Sequence, residues 1–171
     1  MLFTFSKFKA QLHQTIGLGY GLTYGGYAIS NKDPLRQDIV LRYNLKYIRF
    51  LVKAGVGIRP NTYFGTQYTG TLQLGYTMPI YKTLSFFVTT GILGTNANQP
   101  KRTDLKYAGS TVSGSLGIHV RPINKQPWII GLEAISFQEF VSYNIRGWGY
   151  TSSNWPLTTV LSVNYLISKA E

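Results

Sequence analysis

From His13 to Tyr27 the chain reads HQTIGLGYGLTYGGY, and bulky and small residues take strict turns. Ile16, Leu18, Tyr20, Leu22 and Tyr24 form one series; Thr15, Gly17, Gly19, Gly21, Thr23 and Gly25 form the other. A period of two marks a β-strand whose faces meet different surroundings. In a soluble sandwich the second face would carry Lys, Glu or Ser. Glycine weakens a strand and needs a spatial reason, and a crowded interior supplies one. The expectation is that Gly17, Gly19, Gly21 and Gly25 leave room for inward Arg and Lys side chains to fold across a narrow lumen.

The same alternation returns seven times. DIVLRYNLKY places Ile39, Leu41, Tyr43, Leu45 and Tyr47 opposite Val40, Arg42, Asn44 and Lys46. FLVKAGVGIRP sets Phe50, Val52, Ala54, Val56 and Ile58 against Lys53, Gly55, Gly57 and Arg59, with Leu51 out of pattern. After a loop over Pro60 to Thr66, QYTGTLQLGYTM alternates again. LSFFVTTGILG is less regular, because Phe87 and Leu93 fall with Ser85, Thr89 and Gly91. AGSTVSGSLGIHV, WIIGLEAIS and LTTVLSVNYLI complete eight strands. Each is near the roughly 9–11 residues that a tilted strand needs to cross a bilayer. The connections after odd strands are longer on average than those after even ones, and the longest irregular stretch is expected over Phe137 to Trp155.

Eight antiparallel strands close into either a soluble carrier with an apolar lumen or a membrane barrel with the faces exchanged. An eight-stranded barrel is only just wide enough to be filled by side chains. The Gly, Ser and Thr face is therefore inside, and the Leu, Ile, Val and Tyr face must be solvated by lipid. The fold expected is all-β: an eight-stranded antiparallel up-and-down transmembrane β-barrel with short periplasmic turns and longer extracellular loops. Tyr24, Tyr47, Tyr68 and Tyr165 would form aromatic girdles at the membrane boundaries.

Composition agrees with this geometry. Charged residues make up 13% of the 171 and aromatics 15%, including 13 Tyr, which suits neither disorder nor an ordinary cytosolic enzyme. No apolar run approaches the length of a spanning helix, a signal that strand alternation dilutes. The net charge of +11 is assigned to the lumen and scattered loops rather than to one stripe, which argues against nucleic acid. No cofactor or metal is expected, since His13 and His119 are the only histidines and cysteine is absent. GLGYGLTYGG is not a phosphate-cradling loop, because no helix follows it. One domain is expected: residues 1–12 as an N-terminal segment left from an export signal, 13–168 as the barrel and 169–171 as a tail.

In strand pattern, loop asymmetry and inward glycines, residues 13–168 resemble the small outer-membrane barrels of the OmpX and OmpA transmembrane-domain type. The resemblance implies a bacterial outer-membrane location, with lipid and lipopolysaccharide around the wall. The Ala10–Gln11 pair resembles signal-cleavage junctions of Bacteroidota. The chain departs from the family in its last strand, where Tyr165 is followed by LISKAE instead of ending in an aromatic residue.

Candidate chemistry lies in two places. Arg42, Lys46, Lys53 and Arg59 point inward by parity, and Glu133 is the clearest inward acid. Unpaired buried charge is costly, so Glu133 is expected to pair with one or more of Arg42, Lys53 and Arg59. That gives a sealed polar core or, alternatively, a narrow anion-preferring pore. The second place is FQEFVSYNIRGWGYTSSNW, where Phe140, Tyr143, Arg146, Trp148, Tyr150 and Trp155 offer a surface for a protein partner or glycan, or one that packs on the rim and lipopolysaccharide. A lipid A-modifying enzyme, an acyl hydrolase or transferase, would draw on Ser115, His119 and Glu133. An ordinary hairpin at Arg121 to Pro127 would set Glu133 opposite Ser115 and His119 near Ile129, roughly 13 Å away along the strand. That is too far for a triad. The function expected is non-enzymatic: a structural or accessory subunit of an envelope complex, or a surface-binding barrel.

Overall fold

The computed structural model describes residues 12–24, 35–61, 65–97, 105–123, 126–145 and 148–170. They form β1 (Leu12–Tyr24), β2 (Leu35–Tyr47), β3 (Phe50–Asn61), β4 (Gly65–Tyr81), β5 (Leu84–Ala97), β6 (Leu105–Val120), β7 (Trp128–Ile145), β8 (Trp148–Asn154) and β9 (Leu157–Ala170). Each strand pairs antiparallel with its neighbour. β1 joins β9, β9 joins β7 and β7 joins β6, so the sheet closes on itself.

Nine segments make eight staves. β8 and β9 pair with β7 in one unbroken register, from Ile145↔Trp148 through Glu139↔Asn154 to Ser136↔Leu157 and Trp128↔Tyr165. The last stave is interrupted only at Trp155 and Pro156, where proline has no N–H to give to the ladder. The fold is thus a closed, eight-stranded, all-antiparallel barrel.

Alternation decides its faces. Along β1 the bulky members of the pattern lie outside and the small ones inside. Leu18 is 61% exposed, Val56 62% and Ile92 61%, whereas Thr23, Gln67 and Ser113 are fully buried. This inverts the distribution of a soluble protein, and such a wall is stable only against lipid. Tyr24, Tyr47, Tyr68 and Tyr165 all stand on the outer wall. Tyr47 and Tyr165 lie toward the end where Leu12 meets Tyr47 and Ala170. There Trp128 and Tyr165 pack edge to face, with ring centroids 5.0 Å apart, as do Phe50 and Tyr76 at 6.2 Å. Tyr24 and Tyr68 lie toward the other end.

The end holding Leu12 and Ala170 also holds the turns at Ile48–Arg49, Lys82–Thr83 and 121–127; it is called the turn end, and the opposite one the rim. The sequence differs from the structure mainly at the rim. Within the loop expected over Pro60 to Thr66, the described residues Pro60, Asn61, Gly65 and Thr66 are strand, paired as far as Asn61↔Gly65. The irregular segment expected over Phe137 to Trp155 is the outer half of β7 plus β8. Two strands that pair with each other satisfy their backbone groups outside the bilayer as well as within it, so the ladder need not stop where the apolar pattern stops. Gly25, the rest of 25–34, 98–104, Arg146 and residues 1–11 lie outside the described residues, as does Glu171.

Glycine supplies lumen space, but not for the occupants expected. The register does set Arg42 between Gly17 and Gly55. A Cβ on Gly17 would nevertheless strike Asn164 Oδ1 first, and one on Gly19 or Gly21 would press on Val160. These small β9 side chains, rather than long cations, occupy the room. Gly91 is crowded by backbone rather than side chain, since a Cβ there would lie 2.1 Å from the Leu72 carbonyl oxygen. Gly70 has nothing within 4 Å. Gly91→Ala is therefore expected to destabilise the folded barrel by about 3 kcal/mol, the upper end of the overpacking range. Gly70→Ala should stay within about 0.5 kcal/mol, as read from urea midpoints in detergent or lipid.

Ile48 opens the β2–β3 turn at φ 57°, the one positive φ among described non-glycine residues. A two-residue hairpin with left-handed backbone at its first central position favours glycine there, and a β-branched residue is strained by about 1–2 kcal/mol. Ile48→Gly is expected to raise stability by about 1 kcal/mol, visible as a higher urea midpoint.

Candidate functional site in the lumen and at the rim

Strands from opposite sides of the ring bring the predicted lumen charges together. Glu133 enters from β7, flanked in register by Gly117 and Val160. Its carboxylate receives Arg42 Nη1 on one oxygen and Lys53 Nζ on the other. All three side chains are buried. Lys53 also lies over the Phe87 ring, 4.6 Å from its centroid. One acid thus holds two cations across the lumen, and an aromatic face supports the second of them.

Arg59 does not join this group. Its Nε donates to Asp38 Oδ1 at 2.5 Å, and its guanidinium lies 5.0 Å from the Phe137 ring centroid. Thr23 donates to the other Asp38 oxygen and lies 2.6 Å from the Thr158 hydroxyl. Lys46, the remaining predicted cation, is half-buried nearer the turn end and outside both clusters. Between the clusters a cavity of about 30 Å³ is lined by Asp38, Arg42, Lys53 and Arg59, the share of one water.

Asp38 and Phe137 were the residues missed. Asp38 shares the parity of Arg42 and Asn44, but it stands where the second strand was taken to begin, so it read as a strand end. Phe137 continues the inward series of Gly131, Glu133 and Ile135. It was assigned to the irregular segment, yet its side chain is fully buried in the lumen. Reading each alternation two residues further would have found both.

Uncharged groups fill the rest. Gln73 Nε2 donates to Ser113 at 3.0 Å and its Oε1 accepts from Thr89 at 3.1 Å. The Thr89 and Ser115 hydroxyls are 2.5 Å apart. Apolar side chains close the lumen around them: Leu51, Phe87, Leu93, Ile135, Phe137 and Val160 are all buried.

The β6–β7 register corrects the catalytic geometry expected from an ordinary hairpin. Glu133 faces Gly117, Ser115 faces Ile135 and His119 faces Gly131. Glu133 therefore sits between Ser115 and His119 along the two strands. Even so, its carboxylate is engaged by two cations, Ser115 by Thr89, and the His119 ring stacks on Phe87 at 4.5 Å.

At the rim, β7 runs nine residues past Ser136, its last partner on β9. In that stretch β6 pairs on one side and β8 on the other. β1, the barrel neighbour of β9, ends at Tyr24 opposite Leu157. The β7–β8 hairpin continues beyond Leu157, where β9 begins, and it carries Phe140, Tyr143, Trp148 and Tyr150 at register positions that include Tyr143↔Tyr150. The side chains of these four lie outside the described residues, as does Arg146. Trp155, at the break before β9, is exposed.

The chain therefore has the fold of a small transmembrane β-barrel of the outer-membrane type. Neither protein-family profiles nor curated protein sequences give a match. Among solved structures it is similar to the outer membrane protein AlkL in lipid bilayers (TM-score 0.55, 11% identity, covering 95% of this chain and 92% of that one). It is similar also to Ail of Yersinia pestis in complex with the heparin analogue sucrose octasulfate (0.52, 12%, 92% and 99%). A third is Neisserial surface protein A, NspA (0.52, 6%, 90% and 96%). At these identities the likeness is one of fold.

Removing one partner of a buried charge cluster costs about 3–5 kcal/mol, because the remaining charge is left uncompensated. Glu133→Gln is expected to lose that much stability in urea titrations. Adding Lys53→Met should recover part of it, since one stranded cation is then gone. An unchanged midpoint in Glu133→Gln would show that the cluster does not hold the barrel closed.

Proposed function

We propose that this chain is a non-enzymatic barrel of the bacterial outer membrane. In this reading it works as a structural or accessory subunit of an envelope complex, or as a surface-binding barrel, through its rim hairpin and lipid-facing wall. The observation that carries the proposal is the contrast between a lumen crossed by ion pairs and closed by Phe87 and Phe137 and a β7–β8 hairpin that carries Phe140, Tyr143, Trp148 and Tyr150 beyond the start of β9. An interior closed across its middle offers a substrate or ion no passage, whereas an aromatic-rich hairpin offers a partner an anchor. The outer-membrane fold of the similar structures supports the location, with lipid and lipopolysaccharide as the immediate surroundings of the wall. That a barrel of this fold holds a polyanionic saccharide analogue, as Ail does, supports the surface-binding form in a chain of net charge +11.

Two alternatives have less support. Lipid A modification would need Ser115, His119 and Glu133 to act on a substrate, and the engagement of Glu133 and Ser115 described above leaves neither group poised for it. An anion-preferring pore would need a continuous water path past Arg42, Lys53 and Arg59.

The test is a Trp148→Ala, Tyr150→Ala double variant compared with the parent for complexes retained in mild detergent. The variant should fold normally and lose its partner or saccharide binding. In the same protein, liposome leakage should stay at background and lipid A acylation should be identical in cells with and without the chain. Retained binding in the double variant, steady conductance, or altered acylation would each refute the reading.

A further inference from the structure

The outer wall has a notch beside the β2–β3 turn. Arg49 closes that turn, and its carbonyl oxygen accepts from Thr77 N at 2.7 Å, which sets the start of β3 level with Thr77 of β4. The β4–β5 hairpin continues past this level to Tyr81↔Leu84, ~13 Å further along the strand. On it Met78, Ile80 and Tyr81 are exposed, Ile80 at 61% and Tyr81 at 70%. The apolar wall therefore reaches further on β4 than on β3. Arg49, itself exposed, stands in the corner, one residue from the Tyr47↔Phe50 pair of the aromatic girdle.

A cation flanked by lipid-facing side chains at the girdle is stabilised by an anion at headgroup level. Among the described residues no carboxylate pairs with Arg49; Asp38 and Glu133 are held by other cations in the lumen. Its partner is uncharged: Nη1 donates to the Tyr76 hydroxyl at 3.0 Å, and the Tyr76 ring packs edge to face on Phe50. The guanidinium is thus held in place with most of its five N–H donors unspent.

A second feature, independent of charge, adjoins it. A groove of about 590 Å³ is flanked by Phe50 and Val52 of β3, Leu74 and Tyr76 of β4, and Val88 and Thr90 of β5. Phe50, Tyr76 and Val88 share one row of the register, and Val52, Leu74 and Thr90 the next row inward. The groove therefore starts beside Arg49 and runs toward the middle of the wall. Its hydroxyl is spent, since Thr90 donates to the Ser113 carbonyl at 3.4 Å. A partner strand is a poorer occupant of the notch. Pro79 faces the open edge of β4, two residues beyond Thr77, and has no N–H to offer it.

We propose that notch and groove together form a binding site for a phospholipid. The free N–H groups of Arg49 hold the phosphodiester, a planar fork against an anionic oxygen pair, and one acyl chain lies in the groove. Head and chain are then ordered as a leaflet orders them, charge at the girdle and hydrocarbon toward the bilayer centre. The site rests on the transmembrane placement of the wall and not on the surface-binding reading.

The test uses the full chain refolded in alkyl maltoside micelles, which contain no phosphate. It is titrated with phosphatidylglycerol while Arg49 Nε–H and the methyl groups of Leu74 and Val88 are followed by NMR. Saturable shifts at all three are expected, with a single lipid retained per barrel in native mass spectrometry. Diacylglycerol with the same chains should give no saturable shift at Arg49. Arg49→Gln should weaken binding about tenfold, the loss of a charge-assisted hydrogen bond. Tyr76→Phe, which releases the guanidinium, and Val88→Trp, which fills the groove from the outer wall, should each weaken it several-fold. Lys82→Gln, which removes a cation from the hairpin tip and not from the corner, should leave binding unchanged. No saturable response, an equal response to diacylglycerol, or undiminished binding in Arg49→Gln would overturn the proposal. So would groove shifts that follow protein concentration instead of lipid, the mark of a second copy of the chain on this face.

Discussion

Closing eight strands into a ring leaves an interior that side chains very nearly fill, and most of this molecule follows from that limit. An inward charge is tolerated there only with a partner within the ring. Glu133 meets the requirement by accepting Arg42 and Lys53 together, and Asp38 by holding Arg59. Neither cluster is strong evidence of added stability by itself, because desolvating the charges offsets much of their attraction. What they enforce is consistency. Cations buried on β2 and β3 can be tolerated only if the acids of β7 and β2 arrive at the right height, so a slipped register would strand them.

The aromatic residues of the lumen extend this logic. Phe87 and Phe137 are buried in the lumen, and each lies against a cation, Lys53 and Arg59 respectively. They pack against the ion-paired cations and fill volume that short polar side chains cannot. Gly117 makes the accommodation visible, because a Cβ there would lie 2.6 Å from the Phe87 ring. Bulk on one strand is matched by its absence on the next.

The two ends of the barrel differ in kind. At the rim the β7–β8 ladder continues past Leu157, where β9 begins, as paired strand. At the turn end the side chains retreat and leave a basic cavity. Between them the core is closed, so whatever either end does, it does separately. A partner held at the rim would reach the turn end only through the packed, ion-paired middle.

Strand alternation, together with the excess of glycine on one face, was enough to determine a membrane barrel of eight staves, because a period of two is a local property and side-chain volume alone says which face can be inside. The inward direction of Arg42, Lys53, Arg59 and Glu133 was legible for the same reason. Which cation meets which acid was not. Arg59 turned to Asp38 rather than Glu133, and the offset of β6 against β7 placed Glu133 opposite Gly117 rather than Ser115. Those choices depend on the stagger accumulated around the closed ring, which no single strand encodes. The β7–β8 hairpin escaped notice because pairing outside the bilayer is held by backbone hydrogen bonds and needs no apolar alternation to reveal it. The opening glycines show both sides of this division. Their smallness was plain in the sequence, but that Asn164 and Val160 of β9 take the space beside them was decided only when the last stave came round to meet the first.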